Sequence, residues 1–125
     1  LKLKEISYIH SEAYAAGELK HGTISLIEEG RTVIALAAYE ELFDKLLSNI
    51  KEVKARGARV LGVALEGNRA IYSEADDVIL VPRMDNLFVV PAEIVPLQLF
   101  AYYVAKANGC AIDKPKNLAK SVTVE

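Results

Sequence analysis

A lysine close to the carboxyl end of the chain is the first residue that could do chemistry. Lys120 lies within the segment 117–125, where Leu118, Val122 and Val124 carry apolar surface. Docking that surface onto the fold would bring Lys120 into a partly dry site. Such a site lowers the pKa of an amine, so that a neutral nucleophile is present near neutral pH. The alternative is a solvated charge near a terminus.

Three further residues near the start of the chain could move protons. Lys2 and Glu5 have the spacing that places two side chains on one face of a helix, and His21 precedes Gly22. With Lys120 they would form a set that contains a carboxylate base, a titratable imidazole and amines. The alternatives are a surface ion pair for Lys2 and Glu5, and a helix C-terminal cation for His21.

The composition predicts one soluble globular domain. The 125 residues are 52% hydrophobic and 26% charged, with a formal net charge of −2. The lack of basic excess argues against a nucleic-acid partner. The single cysteine, Cys110, cannot form an intrachain disulfide, so we expect a reducing, cytoplasmic location. The longest apolar runs, such as Leu87 to Pro91, are short for a membrane span and no signal peptide opens the chain, so we expect no membrane association.

Hydrophobic periodicity predicts three helices. The first runs from the start of the chain to about His21, the second lies between Glu40 and Gly57, and the third spans Ala92 to Asn108. The uncapped start at Leu1 suggests a piece of a longer polypeptide. The residues expected on the core side of the second and third helices are Leu42, Leu46, Ile50, Val53, Val95, Leu99, Tyr103 and Ala107.

Three apolar, β-branched runs predict strands at Thr32 to Ala38, Arg59 to Leu65 and Asp77 to Val81. Gly67-Asn68-Arg69 is expected to be a turn, because glycine and asparagine favour turns. It does not have the pattern of a phosphate-binding loop. Strands that alternate with helices predict an α/β fold, a three-layer αβα sandwich around a mostly parallel sheet. Ligands of such sheets gather at the carboxyl ends of the strands.

Four strings of residues frame the chain and carry a family resemblance: 1–10, 12–22, 95–99 and 113–125. In these strings the chain resembles the isomerase region of the glutamine:fructose-6-phosphate amidotransferases, also called glucosamine-6-phosphate synthases. That family carries two sugar isomerase (SIS) domains of flavodoxin-like fold, and this chain is similar to the second. The resemblance implies a single SIS domain over 1–125, with a C-terminal tail at 113–125, as a fragment of a larger multidomain enzyme.

The resemblance also implies roles for individual residues. Lys120 matches a lysine that engages the ketose through a Schiff base, and Ala119 lies beside it in the substrate-binding tail. Glu5 matches the base that moves a proton between the first two sugar carbons. His21 matches the group that opens the sugar ring, acting in the site of a neighbouring subunit. Lys2 matches a lysine that supports these transfers.

By this resemblance the chain contributes isomerase residues to the synthesis of glucosamine 6-phosphate from fructose 6-phosphate and glutamine. The implied partners are the sugar phosphate, preceding SIS and glutaminase domains and a second subunit in a homodimer; no metal or organic cofactor is implied. Thr23 departs from the family pattern, which commonly has proline after the His-Gly pair. The alternative is a non-catalytic SIS module for sugar-phosphate sensing or dimerisation.

Overall fold

A computed structural model of the chain describes residues 1–116. These residues form two compact units. One, the helical unit, contains residues 1–13 and 94–116; the other, the sheet unit, contains residues 14–93. In chain order the α-helices and strands are α1 (Lys2–Ser7), β1 (Thr32–Leu36), α2 (Phe43–Lys54), β2 (Arg59–Leu65), β3 (Asp77–Val81) and α3 (Asn86–Ala107). Short 3-10 helices lie at Ala16–His21, Thr23–Leu26, Glu40–Leu42 and Ala70–Ser73.

The three strands form a parallel sheet in the order β1-β2-β3. Thr32 pairs with Arg59 on β2, and Leu61 of β2 pairs with Asp77 on β3. The central strand is the most buried, as expected for a parallel strand that other elements cover. The predicted α/β class and all three strands are therefore confirmed, except that β1 ends at Leu36, before Ala38.

The sheet unit has two clusters of buried apolar residues. In the larger one, Ile50 and Val53 of α2 pack with Val60 and Ile71. Gly62 gives Ile71 its space, since a β-carbon there would lie 2.8 Å from Cγ1 of Ile71. The smaller cluster joins residues near the carboxyl ends of the strands to the start of α3: Ala38, Val63, Leu65, Val81 and Val89.

The prediction for the first helix was wrong in its length. The α-helix ends at Ser7, and Tyr8 follows with φ 60° and ψ 16°, in the left-handed region. Helical structure returns only at Ala16–His21, as a 3-10 helix. The apolar spacing that suggested one continuous helix therefore belongs to two short elements, because the chain leaves the right-handed helical conformation at Tyr8.

The third helix begins earlier than predicted and buries a different face. It starts at Asn86, six residues before the predicted start at Ala92, and continues through Pro91 and Pro96. The expected core residues Val95, Leu99 and Tyr103 are exposed; instead, Val89, Ala101 and Ala105 are buried. Ala107 is exposed as well. In a helix that is apolar on nearly all sides, periodicity does not identify the buried face.

The second helix matches its prediction more closely. Ile50 and Val53 are buried and Leu46 packs against them, but Leu42 is exposed and Phe43 takes its place. Gly57 has φ 87°, which fits its predicted role as a C-terminal stop. The turn predicted at Gly67 is also confirmed, with φ 87° at that glycine and a hydrogen bond from the Asn68 N–H to the Leu65 carbonyl.

By length and composition α3 is the one helix among the described residues that could cross a membrane. The separate apolar runs of the sequence were each too short for a membrane span, but α3 joins such runs into one helix of 22 residues. Length and composition do not distinguish a membrane span from a core helix.

Candidate active site

Lys2 and Glu5 lie together on α1, as their spacing predicted. Nζ of Lys2 is 2.6 Å from Oε2 of Glu5. The Lys2 side chain is 64% exposed, whereas that of Glu5 is only 20% exposed. The carboxylate is therefore mostly covered but keeps a charged hydrogen-bond partner. A carboxylate held in this way can accept a proton from a substrate carbon, and the adjacent ammonium can balance its charge.

The helix that holds this pair is short. Leu1 precedes it without a side-chain cap, and the Leu1 carbonyl accepts a hydrogen bond from the Glu5 N–H at 3.1 Å. Glu5 lies near the helix N-terminus, where a negative charge is favourable. At the other end, the Ser7 hydroxyl donates to the Leu3 carbonyl at 2.6 Å.

His21 lies in the sheet unit, at the end of the 3-10 helix Ala16–His21. Its side chain is 76% exposed, and its Nε2 is 3.9 Å from Oε2 of Glu18, beyond hydrogen-bonding distance. Gly22, with φ 142°, separates this helix from the next one, which begins at Thr23. An exposed imidazole on a glycine-hinged turn is accessible to a ligand or to another polypeptide.

The two tail residues assigned to substrate binding, Ala119 and Lys120, lie outside the described residues. The chain that leads to them belongs to the helical unit and reaches the end of α1. There the Lys116 N–H donates a hydrogen bond to the Tyr8 hydroxyl at 2.6 Å. Sequence reasoning missed Tyr8; its signal is an aromatic residue with a hydroxyl directly after a short helix.

Glu93, on α3, is a second residue that sequence reasoning missed. Its side chain is buried, with 7% of its surface exposed, and its Oε1 accepts a hydrogen bond from the Ala38 N–H at 3.0 Å. Burial raises the pKa of the Glu93 carboxyl, and the hydrogen bond opposes this shift. A glutamate within an apolar helix is the sequence signal that could have identified it.

Other charged residues near the carboxyl ends of the strands pair with one another. Arg83, which follows β3, forms an ion pair with Glu40, which follows β1. Within residues 1–116, no group of three or more His, Cys, Asp or Glu side chains is arranged to hold a metal ion.

Comparison with known proteins gives consistent matches. Residues 1–107 match the SIS domain family model. The chain is 60% identical over 125 residues to the isomerizing glutamine–fructose-6-phosphate aminotransferase of Clostridium tetani, and 55% identical over 125 residues to that of Thermus thermophilus. Each alignment covers 100% of this chain and 21% of the relative. The chain thus spans about a fifth of the length of these curated relatives.

A solved structure matches as well. It is the C-terminal domain of glucosamine-fructose-6-phosphate aminotransferase from Francisella tularensis, with a TM-score of 0.80 and 37% identity. The match covers 90% of this chain and 32% of that one. These findings confirm the resemblance that the strings at both ends of the sequence predicted. The chain belongs to the SIS domain family.

Proposed function

We propose that this chain is an isomerase domain of a longer glutamine:fructose-6-phosphate amidotransferase. In that enzyme it would contribute to the synthesis of glucosamine 6-phosphate from fructose 6-phosphate and glutamine. The observation that carries the proposal is 60% identity along all 125 residues to an enzyme named as an isomerizing aminotransferase. Because the chain spans 21% of that relative, glutamine hydrolysis is assigned to a preceding glutaminase domain.

In the proposed reaction, the Lys120 amine attacks the ketose carbonyl and forms a Schiff base with loss of water. Ammonia from glutamine then replaces the Lys120 amine at the second sugar carbon, which frees the lysine and leaves an imine of the sugar. The Glu5 carboxylate takes a proton from the first sugar carbon and returns it to the second, through an enamine. The position of Glu5 supports this role, since its carboxylate is mostly covered and lies 2.6 Å from the Lys2 ammonium. Ala119 is assigned to the substrate-binding tail.

His21 is assigned to opening of the sugar ring, in the site of a neighbouring subunit of a homodimer. The ring is exposed and makes no hydrogen bond with any residue from 1 to 116, which supports an action in the site of another subunit. A neutral imidazole can accept a proton and an imidazolium can donate one near neutral pH, which is what opening a hemiketal requires.

The surface of α3 supports the proposal that the chain packs against further protein. Large apolar residues are exposed along its length, more than an isolated domain usually shows. They are Leu87, Phe88, Val90, Ile94, Val95, Leu99, Tyr102 and Tyr103. We assign this surface to contacts with the preceding SIS domain or the second subunit, and the parent enzyme to the cytoplasm.

Reduction with borohydride tests the proposal. The full-length polypeptide is incubated with fructose 6-phosphate, reduced and digested, and the peptides are mapped by mass spectrometry. A Schiff base leaves a covalent sugar on one lysine, so the label should lie on Lys120. Lys120→Arg should abolish the label while Lys4→Arg, an exposed change on α1, should retain it. A wild-type protein without label on Lys120 would favour the non-catalytic SIS module instead.

A further inference from the structure

The 3-10 helix Ala16–His21 is held in the sheet unit by the side chains of two successive residues. Leu19 is partly buried and packs against the larger apolar cluster, to which α2 contributes two residues. Nζ of Lys20 lies 2.6 Å from Oε1 of Glu52, on α2. The first contact is apolar and the second is an ion pair, and all of these residues belong to the sheet unit. The helix that carries His21 therefore has two points of attachment.

The geometry of a 3-10 helix relates these two contacts to the direction of the His21 ring. Such a helix has three residues per turn, so its side chains lie on three ridges, and residues three apart share one ridge. Leu19 lies on one ridge and Lys20 on the next, and both are held by contacts. The third ridge carries Glu18 and His21, whose side chains are 70% and 76% exposed. Fixing the first two ridges therefore directs the imidazole away from α2 and into solvent.

The helix has little else to fix its rotation. It has no side-chain cap and no buried residue, and it ends at Gly22, where φ is 142°. A β-carbon added at Gly22 would meet no atom within 4 Å, so the chain is not packed at this point. Glycine in open space also allows the backbone to change direction. A helix attached only through Leu19 could rotate about that contact, whereas the additional ion pair of Lys20 prevents the rotation.

We propose that Glu52 is a positioning residue for His21: its ion pair with Lys20 fixes the direction in which the imidazole is presented. This inference rests on the proposed function of His21 in opening the sugar ring. Proton transfer requires the imidazole to lie within hydrogen-bonding reach of the reacting oxygen, so a displaced ring transfers the proton more slowly. The Lys20 and Glu52 side chains are 54% and 34% exposed, so their ion pair contributes little to stability. Its effect is on position.

Substitution of Glu52 in the full-length polypeptide tests the proposal, with kcat for amino-sugar formation as the readout. Glu52→Gln removes the charge and should lower kcat about five- to tenfold, with an unchanged midpoint of urea denaturation. Glu52→Asp keeps the charge and should restore most of the activity. The matched control is Glu74→Gln, which removes a different ion pair of α2, the one between Lys51 and Glu74 at 3.5 Å. This control should retain the wild-type kcat.

A double-mutant cycle with His21→Asn separates positioning from a general structural effect. If Glu52 acts only through His21, adding Glu52→Gln to His21→Asn should not lower kcat further. A further loss of about five- to tenfold in the double variant would overturn the inference. So would a wild-type kcat in Glu52→Gln when His21→Asn is impaired, and this result would leave the proposed function intact. A wild-type kcat in His21→Asn would contradict the proposed function of His21, and the inference with it.

Discussion

The sheet and α1 are held in place by different kinds of interaction. The sheet has two parallel ladders and side chains that are fully buried, such as Val60, Val63 and Ile71. Helix α1 has six residues, no side-chain cap and one buried residue, Ser7. A helix of this length is only marginally stable by itself. The position of α1 therefore depends on contacts made at its ends. Glu5 and Lys2 therefore lie on a helix that contributes little to stability.

We expect the exposed proton-transfer residues and the buried side chains of the sheet unit to respond to mutation in opposite ways. Changes at Lys2, Glu5 or His21 should affect activity far more than stability, because these side chains are wholly or partly exposed. Changes in the buried cluster around Ile71 should affect stability first.

The largest effect is expected for His21→Asn in the full-length polypeptide. Loss of an acid-base group should lower kcat for amino-sugar formation by about 10² to 10⁴. The free energy of unfolding should change by less than about 0.5 kcal/mol, since the ring is exposed. The matched control is His10→Asn, the same change at the other exposed histidine, which should retain activity. Equal losses in both variants would contradict the assignment of His21.

The next effect is on stability. Ile71→Ala removes a side chain with 0% exposure and should lower the free energy of unfolding by about 2–5 kcal/mol, measured by urea denaturation. Tyr72→Ala, at the exposed neighbouring position, should cost less than about 1 kcal/mol. A loss below about 1 kcal/mol for Ile71→Ala would show that the cluster does not hold the sheet unit together.

A pH-dependent effect follows from two carboxyl groups of the sheet unit. The Lys54 ammonium and the Val60 N–H, at 2.6 and 2.7 Å, hold the pKa of Asp76 below its ordinary value of 3.8. Its stabilising contribution is therefore complete above pH 3.8 and is lost as the pH falls through the lower, folded-state pKa. Asp76→Asn should remove this acid-induced loss from the urea-denaturation profile.

Glu93 should behave in the opposite way. Burial raises its pKa above the ordinary value of 4.5, so the folded state binds a proton that the unfolded state has already released. Stability should therefore decline as the pH rises from 4.5 through the folded-state pKa. Glu93→Gln keeps an oxygen that can accept from the Ala38 N–H and should remove the decline. A decline of the same size in that variant would assign it to other groups.

The smallest effect is expected for Lys2→Met. The ion pair with Glu5 joins residues three apart on a short helix, and such exposed pairs contribute about 0.2–0.5 kcal/mol. The free energy of unfolding should fall by that amount at low salt and by less at high salt. A loss above about 1 kcal/mol would mean that α1 depends on this pair more than on the contacts at its ends.

The sequence predicted the features that depend on local pattern. The β-branched runs predicted β2 and β3 with their observed bounds, and the spacing of Lys2 and Glu5 predicted their contact. It did not predict which face of α3 is buried, because apolar residues lie on all sides of that helix. Nor could it predict the bond between Tyr8 and Lys116, which joins residues 108 positions apart. Contacts of that kind are decided by the fold and leave no local signal.

The rate at which the C–H bond at the first carbon of the sugar is broken tests most directly that Glu5 is the base. The substrate is fructose 6-phosphate deuterated at that carbon, and the deuterium that leaves it is followed by NMR in the full-length polypeptide. Glu5→Gln should slow this cleavage by about 10² to 10⁴, while borohydride still traps sugar on Lys120. Cleavage at the wild-type rate in Glu5→Gln would contradict the assignment.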